Sequence, residues 1–309
     1  MRIVAALGGN ALLRRGEPMD AVTQRRNVGV AAAALAALAQ EHELIVTHGN
    51  GPQVGLLALQ ADAYPEGGAY PLDVLGAESE GMIGYLLQQG LRNALPERDV
   101  ATLLTQVVVD AADPAFHSPT KFIGPVYGED RARSLAAARG WSVRPDGEHW
   151  RRVVPSPEPR SIVELPTIRL LAEAGVLVVC TGGGGVPVVQ DERGTLRGVE
   201  AVVDKDLAAA LLAIQLGADR LLLLTDVPAV AAGWGTAAER PIDHATPAEL
   251  RALALPAGSM GPKVEAASRF VEATAQCAMI GALAEAAEVL EGSGGTRIQP
   301  LGDPVEVGV

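Results

Sequence analysis

The apolar runs of this chain are short, and several stop at glycine. Arg2-Ile3-Val4-Ala5-Ala6-Leu7 stops at Gly8-Gly9-Asn10. Leu44-Ile45-Val46-Thr47 stops at His48-Gly49-Asn50-Gly51-Pro52-Gln53, and Val176-Leu177-Val178-Val179-Cys180-Thr181 at Gly182-Gly183-Gly184-Gly185. An unbroken apolar run of this length reads as a strand buried on both faces, as in parallel sheets covered by helices. Further strands are expected over 103–109, 220–225, 277–280 and 296–298. Ala- and Leu-rich segments with helical spacing lie between them, at 22–40 behind an Asp20 cap, 53–63, 73–95, 162–174, 205–216, 247–254, 261–274 and 282–290. Strand and helix alternate, which predicts an α/β fold with a doubly wound sheet.

Residues 110–160 break the alternation with Pro, Gly and charge. A β-hairpin over 141–144 and 149–154, turning at Pro145-Asp146-Gly147-Glu148, belongs to a small excursion from about Phe116 to Val154. A second hairpin is expected over 187–199, turning at Glu192-Arg193-Gly194. The tail from Gln299 is expected to order weakly.

Composition narrows the partners. A chain of 309 residues makes one large or two moderate domains. It is 48% hydrophobic but only 3% aromatic, so Ala, Val and Leu must build the core. The net charge of −12 argues against nucleic acid and against anionic membranes. It leaves room for an anionic small ligand at a locally positive site. Cys180 and Cys277 sit at apolar runs and read as core residues of a reducing compartment. The first apolar run is far too short to cross a bilayer, so a cytoplasmic location is expected.

The chemistry starts from lysine. Of 25 basic residues only Lys121, Lys205 and Lys263 are lysine, which leaves 22 arginines. One reading is that a few lysines simply stray onto the surface. The other is that a compact ammonium is wanted where a planar guanidinium would not serve. Lys205 lies between Asp204 and Asp206 at a helix start, a place that favours anions. Lys263 follows Gly261-Pro262 at another helix start, and Lys121 lies in Pro119-Thr120-Lys121-Phe122-Ile123-Gly124-Pro125 like a lid. Each glycine loop alone also reads as a tight turn. In a parallel sheet, however, all three fall on the carboxyl edge, where backbone N–H groups can converge on phosphate. Three cations around such loops fit phosphoryl transfer, which needs position and positive charge. Asp204 and Asp206 would hold the lysines or help bind a Mg²⁺-nucleotide.

Other candidates are weaker. The five histidines lack metal-ligand spacing; His48 beside its glycine loop reads equally as scaffold or substrate contact. Glu78 and Glu80 are expected to face solvent or a subunit contact. Trp234 follows Asp226-Val227 and reads as base pocket, core or interface. Neither a Walker A sequence nor a Gly-x-Ser-x-Gly motif is present.

From residue 3 to about 298 the chain resembles the carbamate kinases of the amino-acid-kinase fold. The resemblance rests on ALGGNALL (5–12), THGNGPQVG (47–55), DVLGAESEGMIGYLLQQ (73–89), TQVVVD (105–110), PTKFIGP (119–125), RRVVPSPEP (151–159), GGGGVPVV (182–189), GVEAVVDKDLA (198–208), LLTDV (223–227), WGT (234–236) and AGSMGPKVEAA (257–267). The PTK, DKD and GPK contexts set it apart from the acetylglutamate, aspartate and uridylate kinases of the same fold. The resemblance implies a three-layer αβα sandwich with an open, mainly parallel sheet and a protruding subdomain near 116–154. It implies a single kinase domain, with carbamate or carbamoyl phosphate on a lobe of about 1–180 and ATP or ADP on a lobe of about 181–309. Lys121, Lys205 and Lys263 match the family's phosphoryl-stabilising lysines and Asp206 their organiser. Gly8, Gly9, Asn10, Gly49, Asn50, Gly51, Gly183 and Gly184 would surround the phosphoryl and carbamate. Asp204, Asp226, Val227, Ser259, Met260 and Gly261 would lie on the nucleotide side. The resemblance also implies Mg²⁺ with the nucleotide, a homodimer, and ATP recovery from arginine-type breakdown. Phe122 departs from the Pro expected there. A kinase for another small carboxylate, or a non-catalytic sensor of the same ligands, stays open on the residues alone.

Overall fold

In the computed structural model, which describes residues 1–13, 16–63, 70–253, 255 and 260–300, the strand Arg2–Leu7 runs parallel between Glu43–His48 and Arg220–Thr225. These three belong to one eight-stranded sheet. Its order is His244–Ala245, Thr296–Ile298, Cys277–Ala282, Arg220–Thr225, Arg2–Leu7, Glu43–His48, Leu177–Val179, Val100–Thr102. Every neighbouring pair is parallel except Cys277–Ala282 with Thr296–Ile298.

Alternation along the first strand sets the layers, because successive side chains of a strand point to opposite faces. Ile3, Ala5 and Leu7 pack with Val28, Leu35, Ile83 and Leu87, from the helices Ala21–Glu41 and Leu72–Ala94. Val4 and Ala6 pack with Ala209, Leu212, Ala267 and Phe270, from the helices Lys205–Leu216 and Met260–Thr274. The result is the expected three-layer αβα sandwich. Small residues do much of the filling, and Phe270 is a fully buried aromatic anchor. Asp20 caps its helix as expected, its carboxylate accepting the Thr23 N–H at 2.8 Å. Among the described residues no helix is long and apolar enough to cross a membrane.

Three expectations need correction. The strand expected over 103–109 is two strands: Val100–Thr102 edges the main sheet, and Gln106–Val109 joins a second sheet of order Leu196–Gly198, Val186–Gln190, Gln106–Val109, Pro159–Ile162. The break falls at Thr105, whose N–H is taken by the Glu80 carboxyl at 2.9 Å instead of a neighbouring strand. Glu80 itself is buried, at 2% exposure, and does not face solvent. The excursion is larger than a hairpin: Lys121–Tyr127, His149–Val154 and Ser142–Asp146 form a three-stranded sheet, with the helix Glu129–Arg139 between its first and second strands in sequence. That helix has acidic residues in its first turn, Arg139 in its last and a left-handed Gly140 after it, all ordinary helix-end chemistry. The expected tail is tied in at its start, since the Gln299 N–H donates to Ala245 O at 3.2 Å. Residues 301–309 lie outside the described residues.

Candidate active site

Parallel strands place their carboxyl ends on one edge, and ligands bind outside that edge. Here Arg2–Leu7, Glu43–His48 and Arg220–Thr225 deliver Gly8-Gly9, Gly49-Asn50-Gly51 and Asp226-Val227 to a single cavity of about 540 Å³. Gly183, from the loop after Leu177–Val179, lines it too. The Lys205 stem lies against the second loop: a Cβ on Gly49 would sit 2.9 Å from Lys205 Cδ and 2.9 Å from the backbone nitrogen of Gly9, so glycine lets the two loops close beside the lysine.

All three lysines reach this cavity from separate elements. Lys121 opens the strand Lys121–Tyr127, Lys205 opens its helix, and Lys263 lies in the first turn of Met260–Thr274. Two neighbouring carboxylates collect them. Asp206 accepts Lys205 Nζ at 2.8 Å through both oxygens and Lys263 Nζ at 3.1 Å through Oδ2. Asp204 accepts Lys121 Nζ at 2.7 Å through Oδ2, while its Oδ1 accepts the N–H groups of Asp206 and Leu207 at 2.9 and 3.3 Å. Asp204 therefore caps the helix and holds a lysine at once.

Burial makes these charges strongly interdependent. Burial alone would raise the Asp206 carboxyl, but Lys205 and Lys263 pull it down to about 2. Asp204 is likewise held below the usual range, burial being outweighed chiefly by Lys121. Burial opposes the Lys205 ammonium, yet Asp206 and Asp204 keep its pKa above the ordinary value. Lys263 goes the other way: burial and the neighbouring Lys205 lower it, against the pull of Asp206. A positive cluster needs an anion to complete it, and a desolvated ammonium interacts more strongly with charge than one in water.

Part of the lining is apolar, formed by Val227, Ala231, Trp234, Leu255, Met260 and Pro262. Trp234 is thus at the cavity, neither core nor a remote surface. One cavity thus brings apolar side chains, three lysines and the glycine loops together.

Gly184 and Gly261 stand just outside the lining. Gly184 packs behind it, where a Cβ would meet Val203 O at 2.6 Å. Asn10 is placed by its backbone in the short helix Gly9–Leu12, and Ser259 lies outside the described residues. His48 is fully buried beneath the glycine loops, its Nδ1 3.3 Å from Gly49 O, and burial pushes its ring down to about 4. It is scaffold. Among the described residues no three His, Cys, Asp or Glu side chains cluster as a metal cage.

Comparison with known proteins agrees with this geometry. The model of the amino acid kinase family matches residues 1–281. A carbamate kinase of Rhizobium meliloti is 56% identical over 302 residues, 96% of this chain and 93% of the relative. That of Pyrococcus horikoshii is 47% identical over 315 residues, 97% of this chain and 99% of the relative. Among solved structures, carbamate kinase from Giardia lamblia bound to AMP-PNP superimposes with a TM-score of 0.89 at 42% identity, over 96% of this chain and 98% of that one. By sequence along nearly its whole length and by fold, the chain belongs to the amino acid kinase family, among its carbamate kinases.

Proposed function

We propose that this cavity transfers a phosphoryl group between carbamoyl phosphate and ADP, forming ATP and carbamate, which then breaks down to ammonia and carbon dioxide. The observation that carries the proposal is the convergence of Lys121, Lys205 and Lys263 on Asp204 and Asp206 in one partly apolar cavity. A terminal oxygen of ADP attacks phosphorus, the bond from phosphorus to the carbamoyl oxygen breaks, and carbamate leaves with the electron pair. The three ammonium groups spread the charge of the moving group, and Asp206 keeps two of them aimed. No covalent enzyme intermediate is needed.

In this reading the N-terminal lobe, about 1–180, carries carbamoyl phosphate or carbamate at Gly8, Gly9, Asn10, Gly49, Asn50 and Gly51. The C-terminal lobe, about 181–309, carries the nucleotide, its base against the apolar lining at Val227 and Met260, with Asp226, Ser259 and Gly261 nearby. Gly183 and Gly184 shape the floor between them. Mg²⁺ would come with the nucleotide, and the Asp204 and Asp226 carboxylates at the cavity would help hold it without forming a cage. When bound it supplies positive charge at the phosphates. A homodimer is the proposed assembly, supported by the edge strand Val100–Thr102 with exposed Tyr85 and Leu104 beside it.

The test is ATP formation by the purified chain from carbamoyl phosphate and ADP with Mg²⁺, beside acetylglutamate and UMP assayed with ATP in the kinase direction. ATP from carbamoyl phosphate alone is expected; turnover only of another substrate overturns the assignment.

A further inference from the structure

Helix Leu72–Ala94 passes behind the cavity, and two adjacent residues of it, Ser79 and Glu80, are buried and polar. Neither lines the cavity. Burying polar side chains costs free energy unless they are hydrogen-bonded, so their partners matter. Ser79 is fully buried. Its Oγ donates to Gly76 O at 2.7 Å and accepts the Asn50 amide Nδ2 at 2.7 Å. Asn50 lines the cavity beside Lys205, and its amide group lies against Gly183, where any Cβ would collide with it. Gly183 also has φ +66°, which glycine alone adopts without strain. One serine thus sets the Asn50 side chain, and that side chain lies under the floor glycine.

Glu80 holds the next loop. Its Oε2 accepts the Thr105 N–H at 2.9 Å, and Thr105 Oγ1 accepts the Thr181 N–H at 2.9 Å. Thr105 O accepts the Val186 N–H at 2.8 Å, so Thr105 grips both ends of the Gly182–Gly185 loop. The loop also rests on Glu80 itself: a Cβ on Gly182 would lie 2.8 Å from Glu80 Cγ and 2.5 Å from the His48 ring.

We propose that Ser79 and Glu80 are positioning residues for the phosphoryl end of the cavity: Ser79 aims the Asn50 amide, and Glu80 fixes the Gly182–Gly185 floor through Thr105. This deepens, and rests on, the proposed phosphoryl transfer. Neither residue touches substrate.

The chemistry of the Glu80 site says which substitution preserves it. Its second oxygen, Oε1, is buried and makes no well-formed hydrogen bond, the Gly182 N–H acting on the carboxyl only weakly. A carboxylate there would place charge on a buried oxygen, which favours the neutral acid. Burial does push it well above the usual carboxylate range, Glu164 adding to the effect and the Thr105 and Gly182 N–H groups opposing it. A glutamine is neutral, has the same shape and keeps an acceptor for Thr105.

The experiment compares the parent chain with S79A, E80Q and E80A, each shown folded by its thermal transition. ATP formation is measured with carbamoyl phosphate and ADP varied separately. A misaimed contact a few ångströms from the reaction costs roughly tenfold to a hundredfold. S79A and E80A are expected to lose about that much in kcat/KM for carbamoyl phosphate, with KM for ADP within about twofold of the parent. E80Q is expected within about threefold of the parent throughout. An active parent whose S79A variant matches it, an E80Q as impaired as E80A, or an equal rise in KM for ADP overturns the inference alone. If E80A does not fold, S79A and E80Q decide. A parent that makes no ATP overturns the reaction and the inference together.

Discussion

Lys263 Nζ lies 3.1 Å from Asp206 Oδ2, an ion pair that joins the start of one helix to the first turn of another across 57 residues of chain. Lys205 shares the same carboxylate. Without it, two ammonium groups would face each other in a partly buried site, and one would lose its proton or its place.

Asp206→Asn is therefore expected to lower kcat for ATP formation by about two to three orders of magnitude, the range seen when one preorganised charge-stabilising group is lost. Breaking a buried ion pair on one side also destabilises, by about 3 kcal/mol. The acid limb has a definite sign. Asp206 sits near 2 in the folded protein against 3.8 ordinarily, so its contribution is complete above pH 3.8 and disappears as pH falls toward 2. Steady-state rates and urea unfolding check both statements; a D206N enzyme with near-parental kcat would remove Asp206 from its proposed role.

Asp204 does two jobs that two substitutions separate. Asn keeps the helix cap but gives up the charge that holds Lys121; Ala gives up both. Asp204→Asn is expected to melt near the parent while kcat falls about tenfold, through a less well-held Lys121. Asp204→Ala is expected to lose about 1 kcal/mol of stability in addition. Thermal melts beside initial rates distinguish the two, and identical melts for both variants would deny the cap.

Much of this site was legible in the residues. Three lysines among 22 arginines, each beside Pro, Gly or Asp, stood out by type, and the glycine loops stood out by ending apolar runs. Parallel strands then force those loops to one edge. What could not be read was pairing at a distance. Lys121 meets Asp204 across 83 residues, so which lysine Asp204 holds could not be read from its place at a helix start. Glu80 lies near Glu78 in a polar stretch, and only the Thr105 N–H, 25 residues on, explains why it turns inward. The same bond splits an apolar run that reads as one strand. The helix Glu129–Arg139 was a plain omission, since its charged ends and Gly140 were there to see.

Thiol reagents are expected to spare the activity. Cys180 is fully buried, and burial pushes its thiol up to about 12, so almost no thiolate exists at neutral pH. Cys277 is the first residue of Cys277–Ala282, at the amino end of a strand whose carboxyl end faces the cavity edge. No cysteine lines the cavity. Treatment with N-ethylmaleimide, followed by mass measurement and ATP formation, should show at most one adduct and activity within about twofold of the untreated enzyme. Inactivation in step with a single adduct would contradict this placement.

His48 and Glu80 press on Gly182 from below and should leave opposite marks on stability against pH. Burial keeps the His48 ring neutral down to about 4, while in the unfolded chain it takes a proton near 6.5. Its contribution is whole above pH 6.5 and is lost as pH falls to 4, on the order of 3 kcal/mol. Glu80 is raised in the folded state, so the unfolded chain ionises first. Stability tied to Glu80 is whole below 4.5 and declines as pH rises toward the folded value. Above 4.5 the two slopes oppose, stability tied to His48 rising with pH while that tied to Glu80 declines. Glu164 and Cys180 interact with the same carboxyl but add no opposing positive charge. Urea unfolding of parent and E80Q from pH 5 upward should therefore diverge until Glu80 ionises in the folded protein, E80Q gaining up to about 1.4 kcal/mol on the parent per pH unit. Parallel curves would mean that Glu80 is ionised in the folded protein, and that the wall behind the glycine floor is charged after all.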